Sequence, residues 1–132
     1  MNLPNVIFFA VKQTEKKLLK ICTLAALHLQ NKEPLLILLS DKTAYDFVDD
    51  LLWKLPKESF IPHPSSFLHL SLETTFEAPF LLNLRSTAYL EPKNFKTIYE
   101  LEDSTSSDRA QLSKQRYLAY RQAGHSISIQ EV

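Results

Sequence analysis

The chain opens on an uninterrupted apolar run, Val6-Ile7-Phe8-Phe9-Ala10-Val11 after Asn5, the pattern of a strand covered on both sheet faces. From Thr14 the period changes. Leu18, Ile21, Cys22, Ala25 and Leu29 recur at helical spacing, while Glu15, Lys16, Lys17 and Lys20 fall off that stripe. Pro34 introduces a second apolar run, Leu35 to Leu39, and Ser40-Asp41 is placed to cap a second helix that should bury Ala44, Phe47, Val48 and Leu51. Strand, helix, strand, helix predicts a parallel βαβ start and hence an α/β domain.

Pro56 should stop the second helix, and Phe60 to Pro64 reads as an extended, proline-stiffened connector. Strand character returns where Leu68, Leu70 and Leu72 alternate with His69 and Ser71, and again in the apolar segment Phe80 to Leu84. Thr97 to Leu101 is a weaker strand candidate. Ser104 to Asp108 is a loop whose last residues suit a helix N-terminus, Arg109 to Gln122 contains neither proline nor glycine, and Gly124 ends that helix. The chain contains no internal repeat.

At 132 residues, 45% hydrophobic and 23% charged, the chain suits one globular domain spanning residues 1–132. A single glycine, Gly124, excludes a Walker A loop, a G-x-G-x-x-G turn and a G-x-S-x-G elbow, so neither nucleotide nor any other cofactor is expected. A lone Cys22 makes no intrachain disulfide and no cysteine-based zinc site. Fifteen lysines and arginines balance fifteen aspartates and glutamates, which leaves no electrostatic basis for strong nonspecific binding to DNA or membrane. Any contact with DNA is expected to be indirect. Without a signal-like N-terminus or an apolar stretch of roughly 18 residues, a soluble cytoplasmic protein is the expectation.

Catalytic chemistry is hard to place. His28, His63, His69 and His125 are scattered without metal-ligand spacing, and no nucleophile has a base at a readable distance in sequence. His63, between two prolines, reads as part of a rigid turn, and Asp46, Asp49 and Asp50 read as a solvated helix face. No catalytic residue and no metal ligand is therefore assigned.

Two surfaces attract attention instead. At about 100° per residue Trp53 lies roughly 180° from Ala44 and away from Val48 and Leu51, so it points outward unless the helix end folds it under the next loop. With Phe60, Pro56 and Pro62 it would form a rigid apolar patch suited to a protein interface. On the last helix Lys114, Tyr117, Leu118 and Arg121 share one face. That face suits an acidic peptide with a hydrophobic end, or else is a solvated basic surface with Tyr117 or Tyr120 in the core.

These segments resemble the chi subunit of bacterial DNA polymerase III holoenzyme. Leu52-Trp53, Pro56 and Glu58-Ser59-Phe60-Ile61-Pro62-His63 look like a family word in order and spacing, as do Arg116-Tyr117, Tyr120-Arg121 and Gly124 in the terminal helix; Leu81-Leu82-Asn83-Leu84 is similar to a family strand. The resemblance implies a noncatalytic, Rossmann-like three-layer α/β sandwich with a mostly parallel central sheet flanked by helices. It also implies two partners: the psi subunit, and through it the clamp loader, at Trp53, Pro56 and Phe60, and the acidic, phenylalanine-ended tail of single-stranded-DNA-binding protein at Lys114, Tyr117, Leu118 and Arg121. Two departures from the family stand in the second set. Leu118 occupies a position often basic, and Lys114 one where arginine is common, which implies a weaker or shifted tail contact. The competing reading, a small-molecule or nucleotide-binding α/β domain, rests on the βαβ pattern alone.

Overall fold

In a computed structural model, which describes residues 3–54, 67–74, 77–91 and 95–131, the opening apolar run forms strand β1 (Asn5–Val11) and the periodic segment helix α1 (Thr14–Gln30). Strand β2 (Leu35–Leu38) and helix α2 (Lys42–Lys54) follow. Asp41 caps α2, its carboxylate accepting the Ala44 N–H at 2.8 Å, and the helix stops two residues before Pro56, which disfavours helical backbone just ahead of it. Strands β3 (Leu68–Ser71), β4 (Phe80–Asn83) and β5 (Thr97–Asp103) lead to helix α3 (Ser107–Gln122) and a last strand, β6 (Ile127–Glu131). Ser106 caps α3 by accepting the Arg109 N–H at 3.2 Å, and Gly124 at φ +93° turns the chain in a conformation that glycine adopts without penalty.

The six strands make one sheet in the order β3-β2-β4-β5-β1-β6, and every described pairing is parallel. Successive side chains alternate between its faces. Phe9, Val11, Leu35, Ile37, Leu68, Leu70, Leu82 and Leu101 meet α1 and α2 on one side. Val6, Phe8, Leu36, Leu38, Leu81 and Ile98 meet Tyr120 of α3, with Tyr89 and Phe95, on the other. The result is a three-layer α/β sandwich, parallel throughout where a mostly parallel sheet was predicted.

Several sequence expectations need correction. Phe47 is 56% exposed rather than buried; the inner stripe of α2 is Val48, Leu51 and Leu52, and Phe47 sits about 100° to one side of Val48. Leu72 is exposed because β3 ends at Ser71. In α1 the buried set gains Leu24 and His28. The α1 lysines are not merely solvated: Lys17 reaches Asp103 at 2.6 Å, and Lys20 lies 3.9 Å from the centre of the Phe9 ring, long stems carrying charge across an apolar surface. Strand β6 was not expected from the sequence pattern. Pro56, Phe60 and the proline-stiffened connector, including His63, lie outside the described residues.

Candidate interaction surfaces

Helix α3 is held to the sheet by polar chemistry. Its buried residues are Ser113, Arg116 and Tyr120; Arg116 and Tyr120 converge on Glu100 in the middle of β5, which is fully buried, and Ser113 accepts the Asp103 N–H at 2.9 Å. Arg116 donates through Nε to Glu100 Oε1 at 2.9 Å; the Tyr120 hydroxyl and Asn83 Nδ2 donate to Oε2 at 2.6 and 2.7 Å. The remaining groups are also committed. Arg116 donates to the Leu101 carbonyl at 2.9 Å, and the Tyr89 N–H donates to the Tyr120 oxygen at 2.9 Å. Desolvation of the carboxylate outweighs Arg116 and the other donors and pushes the Glu100 carboxyl up to about 7. Burial and the neighbouring Glu100 charge likewise push the Tyr120 phenol up. Thus, within the words Arg116-Tyr117 and Tyr120-Arg121, the first and third residues anchor the helix.

The other two, with Lys114 and Leu118, form its outward flank. Lys114 and Arg121 are exposed, and among the described residues their side chains engage no hydrogen bond or ion pair. Tyr117 is half-buried with its ring 5.8 Å from that of Phe8, and Leu118 is 48% exposed. Both sequence alternatives for the tyrosines are therefore partly realised: Tyr120 is core, and Tyr117 bridges core and surface. On α2, Trp53 is 44% exposed; Pro56 and Phe60 lie outside the described residues.

A cleft of about 610 Å³ opens at the carboxyl ends of β1, β2, β4 and β5, where open parallel α/β sheets commonly take ligands. In this chain the Lys17–Asp103 pair lies in its wall and Arg116, already bound to Glu100, lies in another part of it. Burial opposes the charge on Asp103, but the Lys17 ammonium and two hydrogen bonds from Thr105 prevail and hold its carboxyl below the usual range. Exposed Phe47 and Leu112 also line this cleft, on the opposite flank of α3 from Lys114 and Tyr117. Among the described residues no group of three or more His, Cys, Asp or Glu is placed to hold a metal ion, and no helix is long and apolar enough to cross a membrane.

Sequence reasoning missed Glu100, Asn83 and Arg116 as a unit. The available signal was an amide closing the apolar strand β4 and a carboxylate between Tyr99 and Leu101 in β5, each of which requires a partner when buried.

These features define a parallel α/β protein with exposed, uncommitted cations on the outer flank of one helix. Compared with known families, residues 3–128 match the DNA polymerase III chi subunit, HolC, and the chain belongs to that family. No curated protein matches it significantly. Membership supports a replication accessory role within the DNA polymerase III complex.

Proposed function

We propose that this chain is a noncatalytic connector that links the clamp loader, through psi or a protein that replaces it, to the C-terminal tail of single-stranded-DNA-binding protein. The observation that carries the reading is the outward flank of α3, where Lys114 and Arg121 stand exposed beside Tyr117 and the exposed Leu118. Two cations without partners match a run of aspartates and a terminal carboxylate, and the adjoining leucine and tyrosine ring match a phenylalanine side chain. The anchoring of α3 through Arg116 and Tyr120 holds that flank in place, so little ordering cost falls on binding. Psi is assigned to the surface around Trp53, with Pro56 and Phe60, and DNA is reached only through protein.

A labelled peptide ending in aspartates, isoleucine, proline and phenylalanine tests the tail contact. Saturable binding at low salt is expected, weakened by added salt, by Arg121→Glu and by removal of the phenylalanine. No saturable binding by the natural protein at low salt would remove this assignment. The psi contact is tested by co-purification, which Trp53→Ala should abolish without lowering the melting temperature.

A further inference from the structure

Beyond Gly124 the chain reads Ile127-Ser128-Ile129-Gln130-Glu131 and forms the edge strand β6. Its register with β1 pairs Val6 with Ile127 and Phe8 with Ile129. Register partners in a parallel sheet project from the same face, so both isoleucines project on the side covered by α3. Ile127 is half-buried in that core, whereas Ile129 is 52% exposed. Phe8 is closed over by the Tyr117 and Tyr120 rings, at 5.8 and 6.1 Å. Tyr117 therefore packs on the residue paired with Ile129, so the outer flank of α3, with Lys114 and Arg121, neighbours the edge strand.

The strand also offers backbone groups. The Val6 N–H donates to the Ser126 carbonyl at 2.9 Å, which sets the alternation of the ladder: Ser126, Ser128 and Gln130 turn their peptide groups toward β1, and Ile127, Ile129 and Glu131 turn theirs to the open edge. An extended chain laid there gains hydrogen bonds along one side and charge pairing along the other.

We propose that β6 is the second wall of the tail site: an extended acidic peptide lies between α3 and β6 with its apolar end against Ile129, Tyr117 and Leu118. The occupant is fixed by charge complementarity with Lys114 and Arg121, and the inference rests on the tail-binding reading given above.

The test titrates the full chain and its variants with the labelled acidic peptide and with a version lacking the terminal phenylalanine. Ile129→Ala should weaken the complete peptide by about five- to tenfold with an unchanged melting temperature, and Ile129→Asp should weaken it further. The shortened peptide should bind the natural protein and Ile129→Ala alike, since the interaction between isoleucine and phenylalanine is already gone. If the complete peptide binds the natural protein and responds to Arg121→Glu but not to Ile129→Ala, β6 is no part of the site and the tail reading stands. If Ile129→Ala weakens both peptides equally, its effect is not contact with the phenylalanine and the proposal falls. Absence of any binding by the natural protein overturns both readings, and Ile129→Thr replaces Ile129→Ala should the alanine variant lose thermal stability.

Discussion

The two faces of the sheet are covered by different means. Against α1 and α2 the interior is mostly hydrocarbon, with His28, Thr97 and the Asp103 that pairs with Lys17 as its buried polar residues; against α3 it combines hydrocarbon with a carboxylate, a guanidinium, an amide and a phenol joined in one network. His28 stays neutral there. Its Nδ1 can only donate to the Glu33 carbonyl at 3.1 Å, so Nε2 accepts from the Tyr99 hydroxyl at 2.8 Å, and burial holds its pKa down. Hydrocarbon packing rewards area and tolerates small shifts of a helix, whereas an ion pair with two further donors is satisfied in one position only. The face that carries the candidate tail site is thus the one whose helix is positioned by directional bonds.

The largest effect should come from cutting that network. Arg116→Ala leaves the Glu100 carboxylate buried without its cation and should cost about 3–5 kcal/mol, read from urea unfolding. The cost should shrink on acidification, as the carboxyl becomes protonated and no longer needs the cation. On the hydrocarbon face, Leu52→Ala removes a fully buried side chain and should cost about 2–5 kcal/mol with no such dependence on pH. Equal pH dependence in both variants would erase the distinction between the faces.

A finer test uses the native network. The Glu100 carboxyl is raised to about 7 from its ordinary 4.5, so between those values the folded protein binds more protons than the unfolded chain. Its contribution is fully present below the lower value and is lost as pH rises through the upper one, at a slope of at most about 1.4 kcal/mol per pH unit. Glu100→Gln should remove that slope. His28, depressed by burial, acts with the opposite sign: its contribution is present above the unfolded value and lost as pH falls. Unfolding curves of both proteins from pH 5 to 8 separate the two, because the difference between them isolates Glu100.

The smallest effects on stability belong to the outer flank. Lys114→Ala and Leu118→Lys should each change it by less than about 0.5 kcal/mol, since neither side chain is buried. In binding they should diverge. Leu118→Lys exchanges apolar contact with the phenylalanine for a cation and should steepen the salt dependence of acidic-peptide binding, while Lys114→Ala should weaken the peptide and flatten that dependence; no change in either variant would move the site off this flank.

Much of this architecture was legible from residue types alone. Strands β1, β2 and β4 announced themselves as apolar runs because a parallel sheet covered on both sides buries every position, and the caps Asp41 and Ser106 lay where oxygen-bearing side chains meet orphan helix donors. Trp53 was legible as lying off the buried stripe of α2 because helical geometry is local. Phe47 was misread because periodicity gives a stripe only to within about one residue's rotation, and the packing of Leu52 decided which way α2 turned. Strand β6 carries only two apolar residues because an edge strand needs little burial. The inner side of α3 escaped for a stronger reason: Ser113, Arg116 and Tyr120 look like surface residues until Glu100, Asn83 and the Tyr89 N–H are brought to them from distant parts of the chain. Local sequence determines which segments become strands and helices, because backbone preference and hydrophobic period act over a few residues. Which polar groups are buried together, and therefore which flank of α3 is left for a partner, is decided only when the sheet assembles, because a buried charge is tolerable only beside a partner that tertiary structure supplies.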